Sequence, residues 1–155
     1  IRQIQSTVGD EFIVKFDDGS EAKIPRKQEF HLRNKDVFSS EGLTVLDDLT
    51  QLQHLHEPAL LHALQIRFDT DKIYTFTGPI LIAMNPFKRI PGLYDIDKLN
   101  QILRNPACAN EPHVFAVSNY AFRGLCDTDT PQTVLISGES GAGKTETTKF
   151  VMKFL

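Results

Sequence analysis

The chain has 155 residues, of which 41% are hydrophobic and 24% are charged, and its formal net charge is −3. This composition is typical of a globular protein, because disordered chains carry fewer apolar residues and more net charge. The mildly acidic balance speaks against a nucleic-acid-binding protein, which normally carries a basic excess. The longest stretch without a charged side chain, residues 73–87, is too short for a membrane span of about 20 residues.

The two cysteines, Cys108 and Cys126, form no CxxC pair and no metal-binding spacing. This favours a reduced, cytosolic compartment, with a lone disulfide as the alternative. Position 1 is Ile rather than Met, and no basic, apolar and small-residue leader precedes the first elements. We therefore expect an internal piece of a longer protein, without a signal peptide.

The first segment alternates apolar and polar residues and is predicted to form a β-hairpin. Two such runs, 11–16 and 21–24, flank an Asp-Gly dipeptide, which supplies the positive φ angles of a tight turn. Pro25 should end the second run or place it at a sheet edge. Two strands alone cannot bury a core. Residues 1 to about 35 must therefore pack on something else, or belong to a barrel whose start is missing.

The middle of the chain follows a polar linker at residues 35–42. Leucines spaced three residues apart predict a short helix near 47–55 and a second near 58–67, with Pro58 in its first turn. Two apolar runs then predict strands at 73–77 and 80–84, and the second reads as buried on both faces.

The last third alternates loops and helices before a second apolar run. Prolines and a glycine between residues 85 and 94 predict an ordered loop. Helical spacing of apolar residues predicts a short helix near 96–103 and a longer one near 114–125. A buried strand is predicted at 133–137, followed by a helix that begins at Lys144.

Residues 138–145, Gly-Glu-Ser-Gly-Ala-Gly-Lys-Thr, fit the pattern G-x-x-x-x-G-K-[ST]. Its glycines let backbone N–H groups curl around phosphate oxygens, and the following helix presents its positive N-terminus to the same anion. Lys144 is placed to reach the β- and γ-phosphates, and the Thr145 hydroxyl to coordinate Mg²⁺. The predicted strand before the motif and helix after it supply the required context. The alternative is a glycine-rich surface turn followed by a solvated lysine.

The segment 138–149, Gly-Glu-Ser-Gly-Ala-Gly-Lys-Thr-Glu-Thr-Thr-Lys, resembles the phosphate loop of the myosin motor domain, rather than that of kinesins, GTPases or transporters. The resemblance covers about 47–155 in the family's order and spacing. Glu57–His62, Arg67-Phe68 and Ile73–Gly78 resemble its N-terminal helix and first sheet hairpin. Residues 85–88 are similar to its purine-binding loop, and residues 112–117 and 120–123 to the helix before the phosphate-loop strand.

The resemblance implies an α/β fold of the P-loop NTPase class, with a central mixed sheet and flanking helices. The hairpin at 11–24 is similar to the end of the small SH3-like β-domain that many myosins carry first. We therefore expect residues 1–35 to be the end of that domain. Residues 36–155 should be the N-terminal part of a motor domain, incomplete at its C-terminal end.

The resemblance also implies a set of ligand-binding residues for ATP and Mg²⁺. On the base side these are Asn85, Pro86, Lys88 and Tyr94, where the amide offers a donor and an acceptor and the tyrosine a flat face. The alternative is a connector whose Lys88 is only solvated. On the phosphate side they are Gly138, Glu139, Ser140, Gly141, Ala142, Gly143, Lys144, Thr145 and Glu146, with Lys144 and Thr145 in the catalytic roles and Thr145 as the Mg²⁺ ligand.

For the whole protein, the resemblance implies an ATPase that moves on actin filaments, with light chains or calmodulin on a lever absent here, in the cytoplasm and cytoskeleton. The sequence contains no later Asp-x-x-x-Gly motif and no Ser/Arg switch loop, so residues 1–155 alone should not hydrolyse ATP. Two alternatives remain. One is a different P-loop ATPase or kinase, although such folds usually place the motif after their first strand. The other is a non-hydrolysing nucleotide-binding or interaction module.

Three histidines in the middle of the chain are candidate metal ligands by residue type. His54 and His56 are two residues apart and would point to different sides of a helix. No cysteine or acidic partner completes a zinc set with them or with His62. We interpret all three as surface or interhelix residues.

Overall fold

The computed structural model describes residues 3–16, 18–27, 34, 46–105 and 110–155. The chain divides into two compact units, Ile1–Arg33 and Asn34–Leu155. The linker predicted at 35–42 and the side chain of Cys108 lie outside the described residues. Within the described ranges, no helix combines the length and apolar character needed to cross a membrane.

The first unit is a three-stranded antiparallel sheet. Its strands are β1 (Gln3–Val8), β2 (Glu11–Lys15) and β3 (Glu21–Pro25), in the order β1-β2-β3. The predicted hairpin is confirmed, because β2 and β3 pair antiparallel and Gly19 in the turn has a φ of 84°. Val14 and Ile24 are buried in this unit.

Strand β1 was not predicted. Its pairing with β2 shifts register between Ile4 and Ser6, which is the signature of a bulge. A bulge adds a residue to one strand, so the side-chain alternation on which the prediction depends is interrupted there. The described part of the first unit therefore has three strands where the sequence pattern indicated two.

The second unit contains a 3₁₀ turn, two strands and four helices in its described part. Helix α1 has Pro58 in its first turn, as predicted, and its N-terminus is capped by the His56 ring, whose Nδ1 accepts from the Ala59 N–H at 3.2 Å. The helix predicted at 47–55 is wrong: only one 3₁₀ turn forms. The elements are Leu49–Gln51 (3₁₀), α1 (Glu57–Asp69), β4 (Tyr74–Thr77), β5 (Ile80–Ala83), α2 (Ile96–Arg104), α3 (Val114–Thr128) and α4 (Lys144–Phe154).

The prediction of one central sheet is not met in the described residues. Strands β4 and β5 pair antiparallel with each other, and a single parallel bridge joins Asp48 to Phe76. The strand predicted at 133–137 is wrong, because a strand needs a hydrogen-bonded neighbour and none of the described residues supplies one. Val134 and Ile136 pack on the core, whereas Leu135 between them is 88% exposed.

Strand β5 is also not buried on both faces. Ile80 is 63% exposed, and the side chains of Leu81 and Ile82 are only partly covered. Among the described residues β4 is the only strand that pairs with β5. The apolar run at 80–84 is confirmed as a strand, but in the described part of the chain no element packs on its second face.

Two hydrophobic clusters form the core of the second unit. The larger one joins β4 and the helices α2, α3 and α4, and the smaller one joins the 3₁₀ turn to α1. The buried members of the larger cluster are Ile73, Tyr74, Ile102, Val114, Phe115, Ala116 and Val151. Those of the smaller cluster are Leu49, Leu52, Ala59 and Ala63, so the predicted leucine stripe contributes two buried residues and several half-buried ones.

A buried arginine ties α1 to β4. Arg67 is 3% exposed, and its guanidinium donates to the carbonyl oxygens of Leu46 at 2.8 Å and Tyr74 at 2.6 Å. It also forms an ion pair with Asp47 at 2.9 Å. Because the Asp47 carboxylate is largely exposed, the two carbonyl bonds, of which the one to Tyr74 is buried, account for most of what this side chain contributes to stability.

We expect Arg67→Met to loosen β4. The two carbonyl oxygens lose a charged donor, which should reduce the free energy of local opening by about 2–4 kcal/mol. Amide hydrogen exchange of residues 74–77 in the intact protein measures this, with Arg104→Met at the exposed end of α2 as the control. Equal protection of β4 in the two variants would contradict the assignment.

Candidate functional site

The loop before α4, residues 138–143, is shaped by glycines in left-handed conformations. We call it the glycine loop. Gly141 has a φ of 81° and Gly143 a φ of 96°, values that side-chain-bearing residues rarely adopt. The Ala142 N–H donates to the Glu139 carbonyl at 3.2 Å and closes a turn. The backbone therefore curls tightly immediately before the first turn of the helix.

The ammonium group of Lys144 folds back over the glycine loop. Its Nζ donates to the carbonyl oxygens of Gly138 at 2.7 Å and Glu139 at 2.8 Å. The lysine is the first residue of α4, so its side chain spans from the helix start to the beginning of the loop. A positive charge is thus held at the loop by two neutral acceptors rather than by a carboxylate.

Helix α4 presents an uncapped N-terminus to the same place. Gly143 is the N-cap and has no side chain to accept a hydrogen bond. Among the described residues, the backbone N–H groups of Gly141, Gly143, Lys144 and Thr145 have no hydrogen-bond acceptor. Free N–H groups at a helix N-terminus carry a partial positive charge and favour an anion.

Three threonines on α4 differ in the use of their hydroxyl groups. Those of Thr147 and Thr148 donate to carbonyl oxygens one turn earlier, Gly143 at 3.1 Å and Lys144 at 2.9 Å. The Thr145 hydroxyl is exposed, and the described residues provide no hydrogen-bond partner for it. Thr145 can therefore offer its oxygen to a ligand outside the chain.

The remaining residues of the glycine loop carry no specific side-chain contact in the described structure. Glu139 and Ser140 are exposed, and Glu139 acts through its backbone carbonyl. Glu146, in the first turn of α4, forms an exposed ion pair with Lys149 at 2.6 Å. Such a pair between exposed side chains adds little stability.

Asn85 contacts the glycine loop directly. Its Nδ2 donates to the Gly141 carbonyl at 2.9 Å, across 56 positions of sequence, and its Oδ1 accepts from the Phe87 N–H at 2.9 Å. The structure therefore brings Asn85 together with the glycine loop. Pro86 follows it and is partly buried, and Phe87 is 88% exposed.

The Lys88 side chain forms its ion pair outside the glycine loop. Its ammonium forms an ion pair with Asp71 at 2.6 Å, in the turn after α1. Both side chains are about half exposed, so water screens their attraction and the pair should exchange readily for another partner. Its assignment to a nucleotide site stays a prediction.

Tyr94 is held against α4. Its ring stacks on Phe150, with centroids 3.5 Å apart and planes 8° from parallel, and its hydroxyl bonds to the Tyr74 hydroxyl at 2.8 Å. Its carbonyl accepts from Lys153 at 2.8 Å. Burial raises the pKa of Tyr94, so the phenol stays neutral at ordinary pH. One ring face and the hydroxyl are thus engaged within the chain, and a role toward an adenine base also remains a prediction.

His113 was not singled out from the sequence, although it joins the Asn85–Tyr94 loop to α3. Its Nδ1 accepts from the Phe115 N–H at 3.0 Å and caps the helix, so the ring proton lies on Nε2, which donates to the Leu93 carbonyl at 2.8 Å. The side chain is 1% exposed, and burial lowers the pKa of His113 to about 4. The Pro112-His113 pair just before a helical pattern was the available signal for such a cap.

His54 and His56 make contacts within the chain. The His54 backbone N–H donates to Asn34 Oδ1 at 2.7 Å, and the His56 ring caps α1. In the ranges that the structure describes, no three His, Cys, Asp or Glu side chains are grouped so that they could hold a metal ion.

Comparison with known proteins identifies the family. The model of the myosin head (motor domain) matches residues 46–155. Myosin-9 of Arabidopsis thaliana is 48% identical over 121 residues, which is 78% of this chain and 8% of the relative. The Myosin-J heavy chain of Dictyostelium discoideum is 43% identical over 148 residues, or 96% of this chain and 6% of the relative. The Myosin-H heavy chain of the same organism is 39% identical over 151 residues, or 97% of this chain and 8% of the relative.

The chain therefore belongs to the myosin head (motor domain) family. The family resemblance predicted from the sequence is confirmed. The chain spans only 6% to 8% of the length of these three relatives.

The position of His113 makes the stability of α3 dependent on pH. Its folded-state pKa, about 4, lies below the ordinary value of 6.5, so the unfolded state binds a proton first as the pH falls. The stability that the neutral His113 ring contributes is fully present above about pH 6.5 and is lost as the pH falls from 6.5 to 4. At pH 5 the loss amounts to about 2 kcal/mol. His113→Asn, which retains a neutral capping oxygen, should remove this dependence.

Amide hydrogen exchange of α3 in the intact protein, at pH 7 and pH 5, tests the prediction. The wild type should lose more protection than His113→Asn on acidification. The same loss in both proteins would show that other groups cause it.

Proposed function

We propose that the glycine loop binds the phosphates of MgATP and that the chain is the ATP-binding part of an actin-based motor. The observation that carries the proposal is the convergence of two kinds of donor on one loop, the free N–H groups at the start of α4 and the Lys144 ammonium, with the contact from Asn85 holding that loop. Membership of the myosin head family supports a nucleotide as the ligand. A curled backbone beside a helix N-terminus suits a phosphate chain better than a single carboxylate.

Lys144 would exchange its two carbonyl acceptors for phosphate oxygens. The exchange replaces two neutral acceptors by anionic ones, so the ammonium gains the attraction of an ion pair in addition to its hydrogen bonds. Gly138 and Glu139, whose carbonyl oxygens hold the lysine now, lie in the same loop, so the ammonium needs to move only a short way. The lysine would then balance charge on the phosphates during transfer.

The chemistry at Thr145 fits a magnesium ion. Its hydroxyl is exposed in the first turn of α4 and lacks a partner among the described residues, unlike those of Thr147 and Thr148. Mg²⁺ takes few protein ligands and keeps several waters, so one hydroxyl beside a phosphate site can be one of its protein ligands. When bound, the ion would neutralise charge on the β- and γ-phosphates.

We assign the base side of the nucleotide to the Asn85–Tyr94 loop, which begins at Asn85 and offers Pro86, Lys88 and Tyr94 as candidate base contacts. The contact between Asn85 and Gly141 supports this, because it places the start of that loop next to the glycine loop. For Lys88 the proposal requires release from Asp71, and an exposed ion pair permits that release at little cost.

For the whole protein we propose an ATPase that couples hydrolysis to movement on actin filaments, within the cytoskeleton, with light chains or calmodulin on a lever. The support is family membership alone, since this chain spans less than a tenth of the relatives' length. The first unit would be the end of a small SH3-like β-domain, in keeping with its three antiparallel strands. Residues 36–155 would be the start of the motor domain and inactive without the rest.

We expect Lys144→Ala to weaken MgATP binding by about 2–4 kcal/mol, or about thirtyfold or more, because a charged donor is lost from the phosphates. Isothermal titration of the intact protein measures this. Lys149→Ala, on the same helix and paired only with Glu146 in the described structure, is the matched control and should bind normally. An unchanged affinity in Lys144→Ala would sink the phosphate assignment.

We expect Thr145→Ala to reduce the gain in ATP affinity that Mg²⁺ provides, while ATP without the ion binds as before. The matched control is Thr148→Ala, whose hydroxyl is occupied by the Lys144 carbonyl. ATP affinity is measured with and without Mg²⁺ for both variants and the wild type. If Mg²⁺ enhances binding equally in all three, Thr145 is not a ligand.

A further inference from the structure

We infer that Asn85 is a positioning residue, which fixes the glycine loop in its phosphate-binding shape independently of any base. The inference rests on the proposed function and refines it. The sequence suggested Asn85 as a contact for the base, whereas its Nδ2 is bonded at 2.9 Å to the Gly141 carbonyl in the middle of the glycine loop.

The bond fixes one peptide plane of the loop at both ends. The carbonyl of Gly141 accepts from Asn85, and the N–H of the same peptide unit, on Ala142, donates to Glu139 at 3.2 Å. Because the carbonyl and N–H of a trans peptide point in opposite directions, these two bonds together set the orientation of the plane. Gly141 has a φ of 81° and no Cβ, so its own backbone resists reorientation only weakly. The hydrogen bond from Asn85 therefore provides the conformational restraint that the Gly141 backbone does not provide itself.

Asn85 is itself held in place. Its Oδ1 accepts from the Phe87 N–H, which forms an Asx turn and leaves Nδ2 aimed at Gly141. The reverse amide orientation would set an oxygen against the Gly141 carbonyl and a donor against an N–H. Phe87 adopts a φ of 50°, uncommon for a residue with a side chain, and the turn maintains it. The amide is therefore directed before any ligand is bound.

The far end of the same loop is attached to α4. The Tyr94 ring stacks on Phe150, and its carbonyl accepts from Lys153. Both partners lie on the helix that follows the glycine loop. The Asn85–Tyr94 loop is thus bound at its start to the glycine loop and at its end to α4. These contacts restrain the position of the glycine loop relative to the helix.

A positioning role and a base contact can be distinguished by the ligands whose affinity depends on Asn85. A base contact strengthens the binding of ATP but not of magnesium pyrophosphate, which has no base. A residue that shapes the glycine loop strengthens both by the same factor. Pyrophosphate therefore separates the two roles.

The experiment measures the affinity of the intact protein for MgATP and for magnesium pyrophosphate by titration calorimetry. Two variants are compared with the wild type. Asn85→Ala removes both bonds of the amide, whereas Asn85→Ser retains an oxygen that can accept from the Phe87 N–H but is too short to reach Gly141. The control is Asn110→Ser, at an exposed position outside both loops.

Loss of the Gly141 bond should weaken both ligands about three- to tenfold in Asn85→Ser and in Asn85→Ala, as for one neutral hydrogen bond. Asn110→Ser should match the wild type. A loss confined to MgATP would assign Asn85 to the base and overturn the inference. Normal binding by Asn85→Ser would assign its role to the turn alone and overturn it as well. Failure of the wild type to bind either ligand would instead refute the proposed function, and the inference with it.

Discussion

An aromatic cluster around Tyr94 holds the described part of the second unit together. The ring stacks on Phe150 of α4 and contacts Phe115 of α3 and His113 at the start of that helix, with centroid distances of 6.2 and 5.9 Å to the last two. The hydroxyl of Tyr74, on β4, forms a hydrogen bond with the Tyr94 hydroxyl. One side chain from a loop thus touches a strand and two helices. Aromatic rings bury a large area each and prefer defined geometries, so they restrict both the spacing and the rotation of the elements they join.

Two hydrogen-bonding groups lie within or beside this cluster. The His113 ring lies edge-on to Tyr74, with centroids 5.2 Å apart; its Nε2 donates to the Leu93 carbonyl and its Nδ1 caps α3. Lys153 reaches the Tyr94 carbonyl from the outer turns of α4. The loop from Asn85 is therefore held at its end by packing and at its start by one hydrogen bond to Gly141. Of these two attachments, packing is the less sensitive to water.

The sequence was informative where a local rule decides the outcome. An Asp-Gly pair predicts the turn around Gly19, and Pro58 predicts the start of α1, because both depend on backbone geometry within a few residues. Strand β1 escaped detection, because its bulge breaks the alternation that marks a strand. The run containing Leu135 has the composition of a strand, but a strand also needs a partner, and composition does not report one.

In the candidate site, too, local features could be predicted from the sequence and long-range contacts could not. The G-x-x-x-x-G-K-[ST] spacing indicated the curled loop and the helix start, since both are local. The contact of Asn85 with Gly141 joins positions 56 residues apart, and no spacing rule gives that distance. Nor does a pattern show that Tyr94 places one ring face on Phe150, or that Lys88 pairs with Asp71, because both follow from how separate elements pack.

The resting position of Lys144 has a consequence for the choice of anion. Since the ammonium already satisfies two carbonyl oxygens, at 2.7 and 2.8 Å, an incoming anion must offer more than those carbonyls do before the lysine moves. A chloride or a single carboxylate offers one unit of charge and few acceptor atoms. A chain of phosphates offers several oxygens to the ammonium and to the N–H groups at once. In the proposed function, the resting position of Lys144 therefore favours a polyphosphate over chloride or a single carboxylate.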